Sequence, residues 1–179
     1  RINTCDFAPT ERAELARQEF MSWGGGKPVQ APLAQHWARM IDTLLCAETI
    51  RELLLDPDIT GTDLMTSGPR LNEGIGVIEA PRGTLIHHYR VDDDGLITWA
   101  NLIIATGHNN LAMNQGITQA ANHFIKGERI TEGALNRVEA VIRCYDPCLS
   151  CSTHALGQML LRIELTDPSG KLLDACERG

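Results

Sequence analysis

Apolar residues recur at helical spacing from Thr10 to Phe20, and the pattern then breaks at Gly24, Gly25, Gly26, Lys27 and Pro28, a loop signature. Helical spacing resumes through Leu33, Trp37, Met40, Ile41, Leu44, Leu45 and Leu53 to Leu55. Pro32 suits the first turn of this helix, and Asp56-Pro57 ends it. Between Ile75 and Thr106 the pattern changes character. Val77 and Ile78, Thr84 to Ile86, and Ile97 to Ile104 are rich in β-branched residues and bounded by Gly or Pro, which predicts a small antiparallel sheet turning at Asp92-Asp93-Asp94-Gly95. Helical spacing returns over Leu111 to Ile125, and again from Leu135 through Val138, Val141, Ile142 and Tyr145. The second of these must stop there, because Pro147 disfavours helical backbone at Asp146. Leu161, Ile163 and Leu165, the turn residues Asp167 to Gly170, and Leu172 with Leu173 predict a terminal β-hairpin. The fold class expected is α+β, mainly helical with a small antiparallel sheet and a terminal hairpin, and without a separate second domain.

A chain of 179 residues with 43% hydrophobic and 22% charged positions is long and apolar enough for one folded core. The net charge of −7, with no cluster of Lys and Arg, argues against a nucleic-acid partner. No apolar run reaches the length of a membrane span, so no membrane partner is expected. The chain starts at Arg1 without a methionine, which is the expectation for a fragment or a processed product.

Six cysteines in a chain of this size and apolarity read as reduced thiols, not as the staples of a small secreted scaffold. Cys5, Cys46, Cys144 and Cys176 are expected to be buried apolar fillers, the usual place of a free cysteine. Cys148 and Cys151 form a Cys-x-x-Cys within Asp146-Pro147-Cys148-Leu149-Ser150-Cys151-Ser152-Thr153-His154. Asp is a good N-cap and Pro fits the first helical position, so Cys148 is expected in a first turn, where the helix dipole favours thiolate. Cys151 and His154 follow at intervals of three, on the same side of such a turn. Soft thiolates select zinc, copper(I) or iron- and nickel-type centres. A thioredoxin-like dithiol, half of a zinc knuckle and haem attachment remain open on spacing alone, although each lacks part of its signature. Elsewhere, His36 reads as a polar-face residue, the three aspartates as a solvated turn, and the glycine run as a loop lacking the second half of a phosphate-binding fingerprint.

Asp146 to His154 followed by Ala155-Leu156-Gly157-Gln158-Met159 strongly resembles the C-terminal motif of nickel–iron hydrogenase large subunits. Glu79-Ala80-Pro81-Arg82-Gly83-Thr84-Leu85-Ile86-His87-His88-Tyr89 and Asn101-Leu102-Ile103-Ile104-Ala105-Thr106 resemble the family's internal motifs, in the right order. Gly107-His108-Asn109-Asn110-Leu111-Ala112-Met113-Asn114 is most similar in wording to the cytoplasmic bidirectional enzymes that couple dihydrogen to NAD(P). The resemblance covers essentially the whole chain but only the C-terminal part of such a subunit. The N-terminal half, with its own Cys-x-x-Cys, is expected to be missing.

The resemblance implies a Ni-Fe centre held by four thiolates, whose iron carries CO and cyanide. Cys148 matches the terminal nickel ligand and proton acceptor, and Cys151 the bridging ligand. Arg82 matches a guanidinium suspended over the open metal position, with Asp146 orienting it and Pro81 beside it. Ala105 and Thr106 match the donors to an iron-bound cyanide. His154 matches a ligand of a structural Mg2+, with the Leu102 carbonyl as a second ligand by spacing. His154 also marks a maturation cut before Ala155. Residues 1–154 are then the C-terminal part of the large subunit, and 155–179 an extension removed by an endopeptidase. The implied partners are the missing half, a small subunit, diaphorase subunits with Fe-S clusters and FMN, the maturation endopeptidase and nickel-insertion proteins. The implied location is the cytoplasm. Two other readings stand beside this one: a noncatalytic zinc or dithiol module, and a hydrogen-sensing regulatory relative, against which the residues after His154 argue. No role is assigned to His87 or His88.

Overall fold

The computed structural model describes residues 2–148 and 161–178. Its packing divides into two compact units, Arg1–Arg70 and Leu71–Gly179, where one domain was expected. The reason lies in residues 61–71, which have no apolar periodicity and are exposed throughout, so they give neither core anything to pack on.

In the first unit, α1 (Glu11–Trp23) and α2 (Ala34–Leu54) pack around Ile2, Phe20, Ala34 and Ile41. Trp37 meets Phe20 edge-on at 5.1 Å between ring centroids and Trp23 at 6.2 Å. Thr10 makes no side-chain cap on α1. A carboxylate from the other helix substitutes, because Glu48 accepts the Ala13 N–H at 3.1 Å and satisfies a donor that the first turn leaves orphaned. α1 runs three residues past the expected Phe20, until Gly24 closes it and Gly25 and Gly26 take positive φ. Asp56 stops α2 as expected and opens a short 3-10 turn at Pro57–Thr60.

The second unit begins with three antiparallel strands in sequential order, β1 (Glu73–Ala80), β2 (Gly83–Val91) and β3 (Ile97–Ile103). The β2–β3 turn falls at the aspartates. The Asp92 carboxylate accepts the N–H groups of Asp94 at 3.0 Å and Leu96 at 2.9 Å, so it is committed to the turn. A 3-10 turn at Gly107–Asn109 leads into α3 (Asn110–Phe124), and α4 (Glu132–Cys144) follows, capped by the Thr131 hydroxyl. α4 starts three residues before the apolar stripe at Leu135 because the cap, not the stripe, sets its first turn. Leu135 and Val138 are among its buried positions. β4 (Leu161–Thr166) and β5 (Leu172–Arg178) form the terminal hairpin, with Asp174 accepting the Ile130 N–H at 2.7 Å. The architecture is α+β with small antiparallel sheets, as the sequence predicts. Among the described residues no helix is long and apolar enough to cross a membrane.

Candidate functional site

β1 and β2 pair to the end of their hairpin, Ala80 opposite Gly83, so Pro81 and Arg82 form a two-residue tip. Gly83 has φ +139, a conformation that side-chain-bearing residues rarely adopt. A Cβ there would also stand 3.3 Å from His108 Nε2 and 3.4 Å from the Ala105 carbonyl oxygen. The chain after β3 is therefore laid directly against the hairpin tip. Ala105 is buried in this contact, while Thr106 is half-buried and its hydroxyl makes no cap on the following turn. Asn109, in that turn, donates its amide N–H to the Arg82 carbonyl at 2.8 Å.

The other half of the site arrives from α4. Tyr145 and Asp146 bond back to Ile142 and Arg143, and Asp146 then takes φ 49, the sole positive φ among the described non-glycine residues. This is the left-handed residue that often closes a helix, and Asp tolerates it better than most. The expectation of Asp146 as an N-cap therefore needs correction, because an N-cap has extended backbone and this residue ends the preceding helix. The reversal presents both oxygens of Asp146 to one partner. The carboxylate meets Arg82 Nη2 at 3.2 Å, and the backbone carbonyl accepts from Arg82 Nε. Both side chains are partly exposed, so the pair orients the guanidinium more than it stabilises the fold.

Cys148 lies two residues beyond Asp146 and is half-buried. Cys5, Cys46, Cys144 and Cys176 form no disulfide, as reduced thiols should, but only Cys144 is buried and Cys46 is exposed where a buried filler was expected; Cys148 is disulfide-bonded. Cys151, His154 and Ala155 lie outside the described residues. Among the described residues no three His, Cys, Asp or Glu side chains gather at metal-ligating distance. Leu102 is on the edge strand β3, three residues before Ala105. An edge strand leaves part of its carbonyls unpaired, which is compatible with, though not specific for, a backbone ligand.

His87 and His88 point to opposite faces of β2. His87 Nδ1 is 2.8 Å from the Tyr89 hydroxyl. His88 Nε2 is 2.7 Å from Glu73, and its ring packs edge-on to Trp99 at 4.7 Å. His88 first, and then Arg90, hold the Glu73 carboxyl below the usual range. These contacts brace the sheet and lie apart from the hairpin tip. The structure thus brings together Pro81, Arg82, Ala105, Thr106 and Asp146, with Cys148 adjoining. Sequence reading assigns no role to Asn109 or His108, whose neighbours at the tip emerge only when β3 has returned to the start of β2. Gly83, following an arginine between two strand patterns, is the available signal for a close backbone approach there.

A family model described as nickel-dependent hydrogenase matches residues 18–154. The NAD-reducing hydrogenase HoxS subunit beta of Cupriavidus necator is 46% identical over 178 residues, which cover 97% of this chain and 36% of that protein. The vhc F420-non-reducing hydrogenase polypeptide of Methanococcus voltae is 44% identical over 162 residues, 88% of this chain and 34% of that protein. A crystal structure of an NAD+-reducing NiFe-hydrogenase in the H2-reduced state superposes with a TM-score of 0.80 at 52% identity, over 86% of this chain and 34% of that one. The chain spans about a third of the length of the curated relatives it matches.

Proposed function

This chain belongs to the nickel-dependent hydrogenase family, and from that premise we propose that it is part of the catalytic subunit of an NAD(P)-coupled nickel–iron hydrogenase, inactive until joined to the rest of that subunit. The reaction is reversible oxidation of dihydrogen, with electrons leaving through Fe-S clusters of a small subunit towards the diaphorase subunits, with their FMN, and NAD(P). The names of the two NAD-reducing relatives support the acceptor. Use of NAD(P) fits a cytoplasmic location.

The observation that carries this reading is the placement of Arg82 by Asp146, two residues from Cys148. The donor set fits the family's Ni-Fe centre as far as it is described: a soft sulfur beside a permanently cationic, planar donor. As thiolates, Cys148 and Cys151 would be two of the residues that hold the centre, with the remaining thiolates on polypeptide beyond this chain. When bound, a Ni-Fe centre with CO and cyanide on iron would supply Lewis acidity toward dihydrogen. Within this chain, Cys148 Sγ would be the base that takes up a proton when dihydrogen is split. The Arg82 guanidinium directs positive charge at the same place, and Asp146 keeps it there. Pro81 stiffens the hairpin tip, and Ala105 and Thr106 offer a backbone and a hydroxyl donor to a cyanide. His154 and the Leu102 carbonyl would hold a structural Mg2+.

Residues 155–179 are proposed as an extension cut off after His154 by a maturation endopeptidase once nickel-insertion proteins have acted. The family match ends at residue 154, while the match to the HoxS polypeptide covers 97% of this chain and so takes in most of the extension; both support that reading.

The test is Arg82→Lys in the complete subunit. Lys keeps the charge and loses the fork, so nickel and iron contents stay at wild-type level while dihydrogen-dependent dye reduction falls by about 10²-fold or more, the scale of one preorganised donor. Full turnover in that variant would refute the reading. Zinc without nickel in the complete subunit would favour the noncatalytic module.

A further inference from the structure

Asn109 ends the Gly107–Asn109 turn with helical backbone and runs straight into α3, so its side chain is not placed to cap that helix by accepting a first-turn N–H. It makes no such bond. Its amide instead donates 2.8 Å across the turn to the carbonyl of Arg82, a residue 27 positions earlier, in a partly buried setting. That bond spans 27 positions and joins the turn before α3 to the hairpin tip, so Asn109 serves the tip and not the helix end. The guanidinium at the far end of Arg82 is held by Asp146 through a partly exposed ion pair. Such a pair is weak and screened by salt, and a long side chain can follow it in many rotamers. A neutral amide bond to the backbone has neither weakness. It fixes where the arginine side chain starts, and Ala105 and His108 against Gly83 limit the tip from the other side.

We propose that Asn109 is the positioning residue for Arg82, tying the hairpin tip to the first turn of α3 so that the guanidinium is aimed before any substrate arrives. The proposal rests on the reading of Arg82 given above. Asn109→Asp separates it from simple helix capping, because Asp caps as well as Asn but has no N–H to donate. If Asn109 served only the helix, Asp would be neutral.

In the metal-free complete subunit, phenylglyoxal labelling of Arg82, read by peptide mass spectrometry, should run about three- to tenfold faster in Asn109→Asp than in wild type, with an unchanged far-ultraviolet circular dichroism spectrum. In the assembled enzyme the same variant should keep its nickel and iron and lose about tenfold in dihydrogen turnover, as for one lost hydrogen bond. Adding it to Arg82→Lys should cost nothing further, since a residue acting through Arg82 has nothing left to position. Wild-type labelling in Asn109→Asp would overturn the proposal, as would an additive double variant. Faster labelling with full turnover in Arg82→Lys would leave the positioning intact and remove the catalytic reading of Arg82 instead.

Discussion

At the scale of single residues, the hairpin tip depends on a backbone shape as much as on chemistry. Gly83 combines φ +139 with a Cβ position 3.3 Å from His108 Nε2. Gly83→Ala should therefore lower stability by about 1–3 kcal/mol, measured by urea unfolding, because the new side chain meets both a forbidden conformation and a crowded space. The two causes separate in Gly83→Ala/His108→Ala. That double variant frees the space without changing φ, so it should stay destabilised, and full recovery would show that strain plays no part. The Asp146 reversal belongs to the same scale. Its type was legible in Tyr145-Asp146-Pro147, since the proline forbids continuing the helix. The left-handed backbone was not legible, because N-cap and helix-closing aspartates look alike until the neighbouring elements are placed.

At the scale of elements, periodicity located every helix and strand that the described residues contain beyond short turns, yet it missed what holds neighbouring elements at their distance. Gly116 on α3 reads in the sequence as a mildly unfavourable helix residue, replaceable by alanine with a gain. Packed against α4, a Cβ there would stand 2.8 Å from Val141 Cγ1, and valine is stiff about its first torsion. Gly116→Ala should thus destabilise by about 1–3 kcal/mol despite the better propensity, and Val141→Ala in the same chain should restore most of the loss. A gain in the single variant would mean that the helices are free to part. In the first unit a carboxylate on α1 ties that helix to itself and to the segment before it. Arg17 foremost, then the Ala8 N–H and Gln18, lower the Glu14 carboxyl from 4.5 to about 2. A group depressed in the folded state stabilises above its unfolded pKa and loses that contribution as pH falls toward the folded one. Between pH 4.5 and 2, therefore, wild type should lose more stability than Glu14→Gln, read by fluorescence of Trp23 and Trp37 in a Trp99→Phe background. Parallel acid profiles would rule out the Glu14 contacts as a source of stability.

At the scale of the whole molecule, alternation in the strands marked two faces but could not say what covers them. Every residue of β3 is exposed, as is all of β1 except Ala80. Ile75, Val77 and Ile97 keep 65%, 64% and 63% of their surface open. Strand sequences this apolar are expected where both faces of a sheet meet protein, and uncovered edges and faces of this kind promote association. The division into two units was hidden for a related reason: composition reports how much apolar surface a chain has, not how it is shared between cores. Such faces fit the proposal that further polypeptide of the subunit covers them, the chain spanning about a third of its relatives' length. The 179-residue chain by itself should accordingly self-associate at micromolar concentration in sedimentation experiments. Val77→Lys with Ile97→Lys should shift it toward monomer, since exposed lysines block edge and face pairing at little cost to positions already in water. Unchanged far-ultraviolet circular dichroism would show that the lysines act on association and not on folding. A wild-type chain that stays monomeric at those concentrations would mean that these apolar strands are tolerated in water, and that their exposure says nothing about the remainder of the subunit.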